Sequence, residues 1–353
     1  MIETVIVLII SAIVVFVVVN KKPGDGRRGR VGRANAFAPW PNTEIPPALG
    51  VPYGHPARSA AERLESALGL DFESRVKDRV MKEYPKMTDK EWNWTWFELK
   101  RYFLMCGILR SVPMYSGQVD AVWHEMLMFT REYEQFCSRF CGEMIHHAPH
   151  AAGEQPLPDE RAWFDWVYGE LFTGTPASGR VWGAFFRTQM SEQKLTELAQ
   201  LSEASLRMQW FNKKAAAFNN DFSVTADYLI ERAKSQLTAA RNSGSWSERG
   251  DAPSERTYGY DPVMGATGML SGLLIFHSIS NPNEFARQMD LAQTEAERKA
   301  YGSGGTSYGC ASSSDNSRHD SNGDDGGGSS DGSSCGSGGG DSGGSSCGGG
   351  CSS

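Results

Sequence analysis

Residues 119–150 read VDAVWHEMLMFTREYEQFCSRFCGEMIHHAPH and hold four of the seven histidines and two of the seven cysteines of the chain. Trp123, Leu127, Tyr133, Phe136, Cys137 and Phe140 fall mostly at helical spacing, which predicts one amphipathic helix over Asp120–Cys141. Ser116 or Asp120 is placed to cap its start, because a short side-chain oxygen accepts one of the free backbone N–H groups there. Gly142 is placed to stop it, since glycine takes the left-handed C-cap conformation at no steric cost. A second histidine cluster follows, His146, His147 and His150, with Pro149 holding the backbone extended.

Two chemistries compete for these histidines. In one, His124 and members of the His146, His147 and His150 cluster bind a metal, zinc being the natural occupant, with Glu125 as ligand or base. The spacing departs from the HExxH of metalloproteases, because Met128 stands where the second histidine would be. In the other, which the sequence favours, His124 packs beside Trp123 and donates one hydrogen bond, and the His146-His147 pair lies on a loop. Zinc usually needs three or four preorganised ligands, and a third acidic ligand has only candidates: Asp120, Asp159 and Glu160.

The string Asp120, Trp123-His124, Thr130, Tyr133, Phe136-Cys137 and His147-Ala148-Pro149 resembles the core of the glycine-rich domain-containing proteins, a D-x-x-W-H…T-x-x-Y pattern. The resemblance covers about 70–100 residues around this helix, and a glycine-rich C-terminal tail fits it. It implies a helical domain with a regulatory or interaction role and no established chemistry.

Outward from the centre, the N-terminal side begins with TVIVLIISAIVVFVVV, residues 4–19, a run without charge. With Ile2 and Asn20 it approaches the roughly 20 residues that a bilayer core requires. Glu3 stands where a signal peptide would carry a basic residue, and no small-x-small cleavage site follows, so an uncleaved anchor is expected. Lys21, Lys22, Arg27, Arg28, Arg30 and Arg33 come directly after. By the positive-inside bias they put the body in the cytoplasm, and they can also meet anionic lipid head groups. Pro23 to about Pro56 reads as linker.

Helical periodicity covers residues 59–84, broken at Gly69 and ended by Pro85. Thr88 and Glu91 read as a capping box starting a helix to about Leu109, whose Trp92, Trp94, Trp96, Phe97, Tyr102 and Phe103 read as core rather than as a ligand cage. Further helices are expected over 159–172, 181–190, 191–206, 208–218 and 224–241. Residues 262–279, PVMGATGMLSGLLIFHSI, lack formal charge and carry Gly268 and Gly272 as G-x-x-x-G. The glycines, serines and His277 favour a helix packed on the domain, or dipping into the bilayer interface, over a span. From residue 301 the chain is almost wholly Gly, Ser and Asp, with Cys310, Cys335, Cys347 and Cys351, a composition that cannot bury a core.

The fold expected is therefore all-α: an irregular multi-helix domain tethered by a transmembrane helix, with a disordered Gly/Ser/Cys tail. The divisions are 1–20 anchor, 21–57 basic and Pro-rich linker, 58–241 helical domain, 242–261 linker, 262–300 apolar segment and short helix, and 301–353 tail. A net charge of −7 argues against a nucleic-acid partner. The expected function is a single-pass, membrane-anchored scaffold or adaptor. Its partners would be lipids, through residues 2–20 and Lys21–Arg33, and a protein. No cofactor is required unless zinc is bound. The alternatives are a zinc enzyme using His124 and His147 and a redox or metal sensor using the tail cysteines. No phosphate loop, nucleophile elbow or dinucleotide fingerprint is present.

Overall fold

Helical spacing of apolar residues recurs along the chain, and helices result. A computed structural model describes residues 39–147, 158–247 and 265–302. Its helices are α1 (Arg58–Leu68), α2 (Leu70–Glu83), α3 (Asp89–Ile108), α4 (Gly117–Leu127), α5 (Thr130–Cys141), α6 (Pro158–Leu171), α7 (Ser178–Trp182), α8 (Glu192–Gln200), α9 (Glu203–Trp210), α10 (Lys213–Phe218), α11 (Asn220–Ser247), α12 (Gly265–Ser280), α13 (Phe285–Ala292) and α14 (Glu295–Tyr301). Among the described residues there is no strand, only an isolated bridge between Leu109 and Phe211. The all-α expectation holds.

The aromatic run of α3 forms the centre of the core. Trp92, Trp94, Trp96, Phe97, Tyr102 and Phe103 are all buried, and the Trp92 and Trp96 rings stack with centroids 5.1 Å apart. Each side chain of this size buried contributes about 1.5–3 kcal/mol, so packing rather than ligand binding accounts for them. Thr88 caps α3, its Oγ1 accepting from Glu91 N at 3.2 Å. The reciprocal half of the expected capping box does not form, because the Glu91 carboxylate instead accepts from Gln118 Nε2 at 2.8 Å.

Several expected elements are different. The single helix over Asp120–Cys141 is two, α4 and α5, separated at Met128 and Phe129. The apolar stripe runs in phase across the break and neither Gly nor Pro marks it, so periodicity sees one helix. In a continuous helix Trp123 and Tyr133 would stand about 15 Å apart along the axis. Bent, the chain brings Trp123 Nε1 to 3.1 Å from Tyr133 Oη. The helix expected over 181–190 stops with α7 at Trp182, where Gly183 turns to φ 81. The one over 191–206 is interrupted because Ser202 caps a new helix, accepting from Ser205 N at 3.1 Å.

Residues 47–57, read as linker from composition, carry core. Leu49, Val51, His55 and Ala57 are buried. Ala48, Leu49 and Gly50 take left-handed backbone angles, with φ of 48, 58 and 71. Arg101 holds this turn, its Nε donating to Leu49 O at 2.8 Å.

The apolar segment near residue 270 is α12, packed between α6 and α11. Leu270, Leu273, Leu274 and Ile275 are buried, as are Gly268 and Gly272. The approach to α6 is close: a Cβ added at Gly169 would lie 2.5 Å from Ser271 Oγ. Small residues on both helices thus serve contact within the protein. Among the described residues no helix is long and apolar enough to cross a membrane. The expected anchor over 1–20, the basic cluster Lys21–Arg33, His150 and the tail from residue 303 lie outside the described residues.

Candidate metal centre

Asp120 and His124 are four residues apart on α4, one above the other on the same face. The helix is set by Ser116, whose Oγ accepts from Val119 N at 3.3 Å, and anchored by the buried Val119, Val122, Trp123 and Met126. Burying that face leaves Asp120 and His124 at its margin, with side chains 30% and 49% exposed.

The third member arrives from beyond α5. Gly142, at φ 76, reverses the chain at the C-cap and donates its N–H to Cys137 O. The returning segment is then fastened to α5 at positions 133 and 141. Tyr133 Oη donates to Ile145 O at 2.6 Å, and Cys141 Sγ donates to Glu143 O at 3.2 Å. The fastened segment delivers His147, only 9% exposed, against Trp123, with ring centroids 4.5 Å apart.

His147 Nε2 lies 2.6 Å from Asp120 Oδ1, and His124 Nδ1 lies 3.7 Å from Asp120 Oδ2. The two imidazole centroids are 4.4 Å apart. One ligand atom from each of Asp120, His124 and His147 falls within 4.8 Å of the others. Ligands of a tetrahedral zinc ion stand about 3.3 Å apart, given bond lengths near 2.0–2.1 Å. The His124–Asp120 spacing is close to that value. The His147–Asp120 pair, hydrogen-bonded at 2.6 Å, is closer than that spacing.

The remaining expected ligands are placed elsewhere. Glu125 is turned to the neighbouring helix, where its Oε2 accepts from Arg79 Nε at 2.6 Å. It therefore joins a salt bridge rather than the donor cluster. His146 is exposed and outside the cluster. The nearby thiols of Cys137 and Cys141 are buried and outside the cluster; burial pushes Cys137 up and Cys141 up to about 12. Of the motif residues, Trp123 and Tyr133 are buried supports, and Thr130 is exposed at the first position of α5. From the sequence alone, Asp120 is one of three acidic candidates and Glu125 is a ligand or base. The i, i+4 spacing of Asp120 and His124 was the signal that separates them, because adjacent helix residues such as His124 and Glu125 point apart.

A family model described as UCP032817-like matches residues 62–163. The matched stretch runs from within α1 into α6 and encloses Asp120, Trp123, His124, Tyr133 and His147. No curated protein and no solved structure matches the chain.

A second polar constellation went unread in the sequence. Glu98 and Arg101, both fully buried on α3, sit amid the aromatic residues. Glu98 accepts from Tyr168 Oη at 2.6 Å, Trp182 Nε1 at 2.9 Å and Ser178 Oγ at 3.0 Å. Arg101 donates to Leu49 O and to Thr173 O, at 2.8 and 2.9 Å. Its partners come from four separate segments and saturate it, so it is a structural clasp. A charged pair inside an aromatic helix face was its one sequence signal.

Proposed function

We propose that this protein is a membrane-tethered helical module that binds a divalent cation of the zinc class through Asp120, His124 and His147. The convergence of these three side chains, with donor atoms within 4.8 Å of one another, carries the reading. Two imidazoles and one carboxylate form a donor set suited to zinc, and three protein ligands leave a fourth position for water or for a donor from a partner. Binding is favoured over turnover because Glu125, the acid–base group expected beside the metal, is held by Arg79. The apolar run of residues 4–19 and the basic residues after it support the tether. The resemblance of the Asp120, Trp123, His124, Thr130 and Tyr133 string to the glycine-rich domain-containing proteins supports an adaptor role for the whole.

Zinc titration of the purified full-length chain in detergent, against a chromogenic chelator, tests the site. About one ion per chain is expected, with affinity falling on Asp120→Asn and collapsing on His124→Ala or His147→Ala. Cobalt in place of zinc should give the visible spectrum of a tetrahedral nitrogen and oxygen site. A chain that takes up no metal, or takes it up equally in all three variants, overturns the reading.

A further inference from the structure

Two loops and a short helix meet on one face. Arg110, Glu143, Met208, Phe211, Lys213 and Lys214 line a shallow cleft there. Phe218, at the far end of α10, lies over Gly142 beside Glu143: a Cβ on that glycine would come within 2.5 Å of the ring. The face is unusual in pairing exposed cations with exposed large apolar side chains. Met208 is 55% exposed, Phe218 49% and Met144 39%, while Arg110, Lys213 and Lys214 are exposed. The one acidic group lining the cleft, Glu143, is already paired with Lys214 at 3.2 Å. A net positive rim around protruding apolar side chains is the chemistry that meets an anionic lipid surface, where cations take the head groups and apolar tips enter the acyl boundary.

We propose that this face of the helical body rests on an anionic bilayer. The choice of a bilayer over another polyanion rests on the tether reading of residues 4–19. Between the basic cluster's first residue, Lys21, and the start of the described body at residue 39 there are 17 residues, which span at most about 60 Å. A body on so short a lead stays within reach of the membrane surface. The tether supplies proximity, and this face supplies orientation. It turns Gly142, and the return segment leading to His147, towards the lipid side of the body.

Full-length protein in phosphatidylcholine nanodiscs, with or without phosphatidylserine, provides the test. Amide hydrogen exchange over residues 207–218 is the readout. Exchange should slow only in discs containing phosphatidylserine, and high salt should reverse it. The double variant Lys213→Glu, Lys214→Glu should abolish the slowing. Lys213→Gln, Lys214→Gln, which is gentler on folding, should weaken body docking about fivefold per charge removed. Equal exchange in the two discs, or phosphatidylserine-dependent protection that survives both variants, overturns the proposal. Protection by soluble polyglutamate equal to that by the anionic disc overturns it in favour of an acidic protein partner. Failure of the tether gives a different result: the chain would leave the neutral discs altogether, while anionic discs would still protect 207–218 if the face is correctly assigned.

Discussion

Tyr133 connects the two halves of the candidate metal site through one hydroxyl. It accepts from Trp123 Nε1, which belongs to the helix carrying Asp120 and His124, and donates to Ile145 O on the segment carrying His147. Tyr133→Phe removes only that oxygen and leaves a buried donor and a buried acceptor without each other's bridge. Such a loss costs about 1–3 kcal/mol. Because supporting residues hold ligands in place, zinc affinity should drop by about 10-fold or more. Chemical denaturation and chelator competition measure the two effects separately. A variant with lower stability but unchanged zinc affinity would mean that His147 is placed without Tyr133. The same scale explains why Glu125 stands outside the cluster: it neighbours His124 in sequence but lies some 100° round the helix, where it accepts from Arg79.

Many elements in this fold end where their local chemistry tells them to, and Gly142 is the clearest case. Its φ of 76 is costly for any residue with a Cβ, and the Phe218 ring fills the space that a methyl group would need. Gly142→Ala should destabilise the protein by about 1–3 kcal/mol, combining the left-handed backbone cost with overpacking. Thermal unfolding followed by circular dichroism reads this directly. An unchanged midpoint would show that the reversal after α5 does not depend on the glycine. Caps of this kind were legible: Thr88, Ser116, Ser191, Gly69 and Gly142 all stand at helix ends. The break between α4 and α5 was not legible, because no cap or breaker encodes it. It exists because folding back there lets the two apolar faces and the Trp123–Tyr133 bond close on one core.

For the molecule as a whole, the position of α12 matters most. Its composition suits a bilayer interface almost as well as a protein interior. Contact with α6 and α11 places it inside, with Leu274 fully buried. Leu274→Ala should therefore cost about 2–5 kcal/mol in denaturant unfolding of the full-length protein. Were the residue turned to lipid instead, stability would be nearly unaffected and membrane partitioning would change. The Glu98–Arg101 clasp acts at the same scale, tying α3 to residue 49, to α6 and α7 and to the turn at Thr173 through hydrogen bonds spanning much of the chain.

The sequence by itself determined the helical class, most helix ends, the interior role of the α3 aromatics and the neighbourhood in which a metal would be sought. These follow from periodicity and capping, which act over a few residues and are written locally. Tertiary structure alone decided that His147 and Asp120 lie beside His124 while Glu125 pairs with Arg79, and that α12 and residues 47–57 belong to the core. Each of those depends on a contact between segments distant in sequence. Such a contact forms when the chain closes around shared apolar area and leaves no periodic trace in either partner.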